Sequence, residues 1–478
     1  MTEKEVLARL ETWAPARRDE LVKDLIELVN IRSVCEKGRD GKPFGPGPAA
    51  VIDKGVEYGK KYGFATDNDG YYNLSFLFPG TDPKREIGLV NHVDVVPEGS
   101  GWTYEPYNAV EKEGHVIGRG SADNKGPAVL SLYVLRALRD LGISLRHTVR
   151  VIWGGNEETG GMGDVIHFAE THEVPELSLV LDAAFPVCYG EKGILEGELS
   201  IALDEPEAGS PAIVDFSGGV ASNAVPDSAF VLVDGNPDAV KKALDGADVA
   251  VSEQDGHIKI EAAGVAGHAA FPERSVNAIQ KLAAVLAGSG LFTGSAGKSL
   301  AFIAAAFADF KGAGLGIEET DDIGSYTTHI GGYVRLEDGL LKQNINVRYA
   351  IHGQGEKVIA RITETAEKAG FSFRVIEHSG PRYDDPESPV VRLLTDTANE
   401  FLHLDAKPYF MGGGTHARKL KNAIPYGPGY PMSARPEGAK PKFGTPHGRD
   451  ESVEIDRLLE ALTIYVIALI RLDGLLSP

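Results

Sequence analysis

Two adjacent carboxylates, Glu157 and Glu158 in "RVIWGGNEETGG", follow directly on a short apolar run, with glycines on both sides. Other short apolar runs lead to side chains that can also bind a metal ion. "IGLVNHVDVVPEG" carries His92 and Asp94, two residues apart and therefore on one face of a strand. "LSLVLD" stops at Asp182, and "GRGSADNKG" places Asp123 at the start of a helix, where the helix dipole favours an anion. In open parallel sheets ligands bind outside the carboxyl ends of the strands, so His92, Glu157, Glu158 and Asp182 are expected at one rim. So many carboxylates together would repel one another and take up protons unless one or two divalent cations lay among them. Imidazole with several carboxylates suits Zn²⁺, Mn²⁺ or Co²⁺ better than Ca²⁺, which takes oxygen ligands.

The elements that must position these residues alternate. Between 85 and 182, apolar runs without clean alternation ("EIGLVNHVDVV", "HTVRVIW", "LSLVLD") are separated by the helically spaced "GPAVLSLYVLRALRDLG". Strands buried on both faces and alternating with helices imply an α/β fold, a mostly parallel sheet with helices on both faces. The stretch from 193 to 383 differs: it is rich in Ala and Gly, with strand-helix-strand candidates around "NAIQKLAAVL" and "GEKVIARITETAEKAG". Beyond it come the helix candidate "VVRLLTDTANEFL", a loop dense in Gly and Pro, and a long closing helix in "SVEIDRLLEALTIYVIALIRL". The expectation is a catalytic domain in two parts, 1–192 and 384–478, interrupted by a large inserted α+β lid domain, 193–383.

Composition narrows the function. With 478 residues, 69 acidic against 48 basic side chains and a formal charge of −21, the chain has no basic stripe for a phosphate backbone, which excludes nucleic acid as a partner. The start, "MTEKEVLARLETWAPARRDELVKDLIELV", is charged throughout and helically spaced, unlike a secretion signal. The apolar stretch "LTIYVIALI" is far short of the ~20 residues that span a bilayer. Cys35 and Cys188 make neither a disulfide framework nor a thiolate zinc site. A cytoplasmic protein away from membranes is expected.

"HVDVVPEG", "GRGSADNKG", "NEETGG", "GHAAFPERSVNA" and "GTPHGRDE", taken in order, resemble the co-catalytic metallopeptidase superfamily of aminoacylase, carboxypeptidase G-type enzymes and the dipeptidases of the peptidase V and carnosinase type. The resemblance implies a site for two divalent ions, with Zn²⁺ first in line and Mn²⁺ or Co²⁺ as alternatives. Asp123 would bridge them, His92 and Asp182 would complete one position, and Glu158 and His447 the other. Asp94 would orient His92, as carboxylates behind metal-bound imidazoles do. Glu157 would be the general base rather than a ligand. His268, within the lid, would stabilise the oxyanion of the tetrahedral intermediate.

Further substrate contacts are expected from "GGGTHARK", whose backbone around Gly414 and Thr415 could cradle a carboxylate. Arg348 in "NINVRYA" could pair with the same carboxylate, and Asn223 is a further lid candidate. The inserted segment is longer than the ~110-residue lid, about one ordinary domain, of dimeric superfamily members. Its length resembles the peptidase V branch and implies a monomer acting on small peptides with a free N-terminus. The alternative is an amidohydrolase that removes an acyl group from an N-acyl amino acid. A binding protein that kept the fold is disfavoured by the complete set of ligands and base. A nucleotide-binding reading of "GRGSADNKG" lacks the last glycine of the dinucleotide fingerprint.

Overall fold

The structure, a computed structural model, describes residues 1–430 and 442–477, so part of the Gly- and Pro-rich loop lies outside the described residues. The chain forms two compact units. Met1–Tyr189, Asp384–Tyr409 and Gly414–Pro478 make the first; Gly190–Tyr383 and Phe410–Gly413 make the second, which interrupts the first in sequence.

The first unit is built on a six-stranded sheet ordered Ala65–Asp69, Asn73–Phe78, His147–Gly154, Asp82–His92, Leu177–Val180 and Ala423–Pro425. The last four strands run parallel and the first two antiparallel. The lack of alternation in the apolar runs has a direct cause. Val149, Val151 and Trp153 join a large cluster with helices such as Lys125–Asp140 and Ile455–Leu476, while Ile152 between them packs with Val165 and Phe168 of helix Gly163–Thr171. Both faces of the sheet are therefore covered. Trp153 is fully buried and its indole N–H donates to the Ala128 carbonyl at 3.1 Å, tying sheet to helix. Truncating such a side chain to alanine costs about 3–5 kcal/mol.

Two elements depart from expectation. The amphipathic start forms two helices, Glu3–Ala16 and Arg18–Val29, because Arg17 leaves helical geometry with ψ near 1°. The closing helix runs Ile455–Leu476; Ser452–Glu454 ahead of it is a strand paired with His115–Ile117. That pairing carries residues 444–451 to the segment leading into Asp123, and Gly118 N–H donates to the Glu451 carbonyl at 2.9 Å. No helix among the described residues is long and apolar enough to cross a membrane.

The second unit is a nine-stranded antiparallel sheet whose long strands are Gly193–Ala202 and Leu340–Tyr349. Along Gly193–Ala202 burial alternates, with Leu195 and Leu199 facing a core formed with helices Ala278–Gly288, Gly294–Ala306 and Gly355–Lys368. This is the period-2 signature of a sheet covered on one face.

Candidate metal centre and active site

Strand register assembles the site of the first unit. His92 pairs with Gly154 and Val90 with Val180, so the strand ends that lead to His92, Glu157 and Asp182 finish side by side. The imidazole of His92 is buried, with Nδ1 3.0 Å from the Asp94 main-chain carbonyl. That contact, with the carbonyl as acceptor, holds a proton on Nδ1 and turns Nε2 towards Asp123 Oδ1 at 3.0 Å and Asp182 Oδ2 at 3.9 Å. His447 Nε2 stands 3.1 Å from Asp123 Oδ2 and 3.1 Å from Glu158 Oε2. Two groups of ligand atoms result, His92–Asp123–Asp182 and Asp123–Glu158–His447, each with its atoms within 4.8 Å of one another. Asp123 belongs to both.

Each group offers one imidazole and two carboxylates, a donor set that fits Zn²⁺, Mn²⁺ or Co²⁺. Glu158 Oε1 is buried and has no hydrogen-bond partner, and a cation between these groups would satisfy it. The electrostatics point the same way. Burial and the Asp182 charge push Glu157 well above the usual carboxylate range, and burial with Asp123 raises Glu158. Hydrogen bonds to Asp123 and Glu158 push the His447 imidazole up to about 11.

The backbone of the glutamate loop is held from beneath. Asp94, fully buried, accepts the N–H of Glu157 on Oδ1 and that of Glu158 on Oδ2, both at 3.0 Å. The Cys35 thiol donates to the same Asp94 Oδ2 at 3.4 Å; burial, then Asp94, keeps that thiol protonated.

Three supporting residues escaped the reading of the sequence. Glu451, fully buried, accepts Arg119 Nη1 at 2.6 Å and Gly120 N–H at 3.0 Å on one oxygen. Its other oxygen accepts Ala122 and Asp123 N–H, both at 3.0 Å. Arg119 Nη2 in turn donates to the His447 carbonyl at 3.2 Å. This pair therefore suspends the backbones of both Asp123 and His447. Lys125, fully buried, donates Nζ to the Ile31 carbonyl at 2.6 Å, and burial brings its pKa down to about 7. All three lie in the motifs themselves: Glu451 closes "GTPHGRDE", and Arg119 and Lys125 stand in "GRGSADNKG".

Gly414 and Thr415 also belong to the first unit, where Thr415 Oγ1 caps the short turn His416–Arg418 by accepting Ala417 N–H at 3.2 Å. Asn223, His268 and Arg348 belong to the second unit and lie along one path there. Ala224 pairs with His268, and Ala269 N–H donates to the Asn223 carbonyl at 2.9 Å. Thr328 donates to the Ala269 carbonyl at 3.3 Å and pairs across the sheet with Arg348. Arg348 is buried and donates to Asn346 Oδ1 at 3.0 Å and the Gly412 carbonyl at 3.2 Å. His268 is exposed, and its Nδ1 accepts Ala270 N–H at 3.1 Å.

The family model for peptidase family M20/M25/M40 matches residues 88–471, a span that takes in Glu157 and both groups of ligand residues. This chain belongs to that peptidase family. Among its relatives, the Bacillus subtilis protein named "Putative dipeptidase YtjP" is 32% identical over 472 residues, 95% of this chain and 98% of the relative. The Beta-Ala-Xaa dipeptidase of Lactobacillus delbrueckii subsp. lactis is 30% identical over 475 residues, 96% and 97% of the two chains. Human carnosine dipeptidase 1 shares the M20 fold with a TM-score of 0.61 at 13% identity, over 98% of this chain and 99% of that one.

Proposed function

We propose that this chain is a metal-dependent dipeptidase that cleaves small peptides with a free N-terminus. The observation that carries the reading is the pair of three-residue ligand groups sharing Asp123, set beside the buried Glu157. The kinship over nearly full length with a Beta-Ala-Xaa dipeptidase supports the substrate class.

In this reading His92 and Asp182 hold one divalent ion, Glu158 and His447 the other, and Asp123 both. Bound there, such ions supply an acidified water and polarise the scissile carbonyl. Glu157 takes the proton from the attacking water and hands it to the leaving amine. Asp94 fixes the backbone from which Glu157 acts and orients His92. His268 donates to the oxyanion. Because its Nδ1 already accepts a backbone N–H, a neutral ring carries its proton on Nε2, the tautomer that role requires. Arg348 and Asn223, with the loop at Gly414 and Thr415, receive the substrate carboxylate. The division into a catalytic domain, 1–192 with 384–478, and a lid, 193–383, belongs to the same reading, as does a monomeric state.

The test is hydrolysis of a free dipeptide and its N-acylated counterpart by metal-stripped protein to which Zn²⁺, Mn²⁺ or Co²⁺ is restored. Cleavage of the free dipeptide alone, on metal addition, is the expected result and identifies the working ion. Cleavage of the acylated compound alone would move the assignment to a deacylase. Cleavage of neither by the metal-loaded protein would sink the reading.

A further inference from the structure

Three successive backbone amides, those of Asn156, Glu157 and Glu158, donate to carboxylates of buried aspartates. Asp94 takes the second and third. The first goes to Asp164 Oδ2 at 2.9 Å, and Asp164 is fully buried at the start of helix Gly163–Thr171. The same oxygen faces His416 Nε2 at 3.0 Å, and His416 is as buried as its partner. Asp164 is held below the ordinary carboxylate range: the backbone and His416 contacts outweigh its burial, so it is ionised and the proton of the contact sits on His416 Nε2.

The surroundings are shaped for this pair. A Cβ on Gly154 would overlap Asp164 Oδ2 and crowd His416 Cε1, which explains one of the glycines that precede the glutamates. The Asn156 side chain closes the loop on itself, accepting Gly163 N–H at 3.1 Å and donating to Thr159 Oγ1 at 2.7 Å. His416 follows Thr415 directly, so the pair joins the Gly414–Thr415 segment to the segment that carries Glu157.

We propose that Asp164 and His416 are a positioning pair for Glu157, setting the loop's height at Asn156 while Asp94 sets it at Glu157 and Glu158. The consequence for catalysis rests on the reading of Glu157 as the base; the mechanical role does not. A charged hydrogen bond lost at Asn156 would let the loop shift, and a displacement of ~1 Å at a reacting group can cost ~10²-fold in rate.

The test compares His416→Phe, His416→Gln and Gly154→Ala in the metal-loaded full chain. The Gln amide can still donate to Asp164 from about the position of Nε2. Hydrogen exchange of the segment 154–160 should quicken about tenfold in His416→Phe and Gly154→Ala, the weight of one hydrogen bond. It should stay near wild type in His416→Gln, with strand Asp82–His92 unchanged in all three. On a cleaved dipeptide, kcat should fall ~10²-fold in His416→Phe with KM and metal content held, and recover in His416→Gln. Unchanged exchange at 154–160 in His416→Phe, or equal acceleration in His416→Phe and His416→Gln, would overturn the pair's role. Quickened exchange with unchanged kcat would leave the mechanical role standing and refute the link to the base. If the wild type cleaved no dipeptide, the functional reading would fall and the exchange experiment would still decide.

Discussion

The two units carry their chemistry-bearing residues in opposite ways. In the first, His92, Asp94 and Glu157 are buried at strand ends, and the amides around them are claimed by Asp94, Asp164 and Glu451. In the second, Asn223 and His268 flank or sit on two-residue strands, Ala224–Val225 and Gly267–His268. Beside them Val220 is 95% and Phe271 64% exposed. Groups that must hold metal ions and move a proton are preorganised by buried polar support. Asn223 and His268, expected to meet the substrate, rest on thin backbone pairing, the kind of segment that opens at low free-energy cost, whereas Arg348 is buried on the long strand Leu340–Tyr349.

The largest effect that can break this contrast is at the base. Glu157→Gln should lower kcat by ~10²–10⁴-fold while metal content measured by atomic emission stays at the wild-type ratio. Loss of metal instead would make Glu157 a ligand. In the second unit, His268→Ala should lower the rate by ~10²–10³-fold, again with metal intact. A drop in bound metal there would refute its role as an oxyanion donor. Glu451→Gln tests the support itself. An amide cannot match the charge of Arg119, and titration with Zn²⁺ should show affinity weakened by ~10–100-fold. Unchanged affinity would mean that the ligand loops hold themselves.

A separate effect, on stability rather than on catalysis or metal binding, concerns pH and arises in the second unit. His329 is fully buried, neither ring nitrogen has a hydrogen-bond partner among the described residues, and burial pulls its pKa down to about 4. It therefore stays neutral in the fold down to that pH, whereas in the unfolded chain it titrates near 6.5. Its contribution is fully present above pH 6.5 and is lost as pH falls from 6.5 to 4, up to about 3 kcal/mol. His329→Phe should remove that part of the pH dependence from urea unfolding of the chain.

The strand ends were legible because each apolar run stops on a polar side chain, and a parallel sheet gathers such stops at one rim. The α/β architecture could be read from apolar runs without alternation, and the insert from its change of composition, whereas its antiparallel sheet appeared only in the structure. The supports could not. Asp164 and His416 meet across 252 residues of sequence, and Glu451 reaches Asp123 across 328. Nothing local distinguishes Asp164 from the many other acids of the chain, and although Glu451 stands inside "GTPHGRDE", only the fold shows which amides it holds. Helix Gly294–Ala306 was equally silent, since "GSAGKSLAFIAAA" has glycines where a helix signal should be strongest. The break at Arg17 went unseen because the apolar spacing continues through it.

Asp123 and His447 lie on opposite sides of the inserted unit in sequence, yet their side chains stand 3.1 Å apart. Chains are made from the N-terminus, so His92, Asp123, Glu158 and Asp182 are all synthesised before the insert, and His447 and Glu451 only after it. Until the ribosome has passed them, the nascent chain holds the acids without the second imidazole and without the carboxylate that fixes Asp123. Completion of the ligand set is therefore a late event of biosynthesis, and the inserted unit acts as a delay between making the acids and arming them.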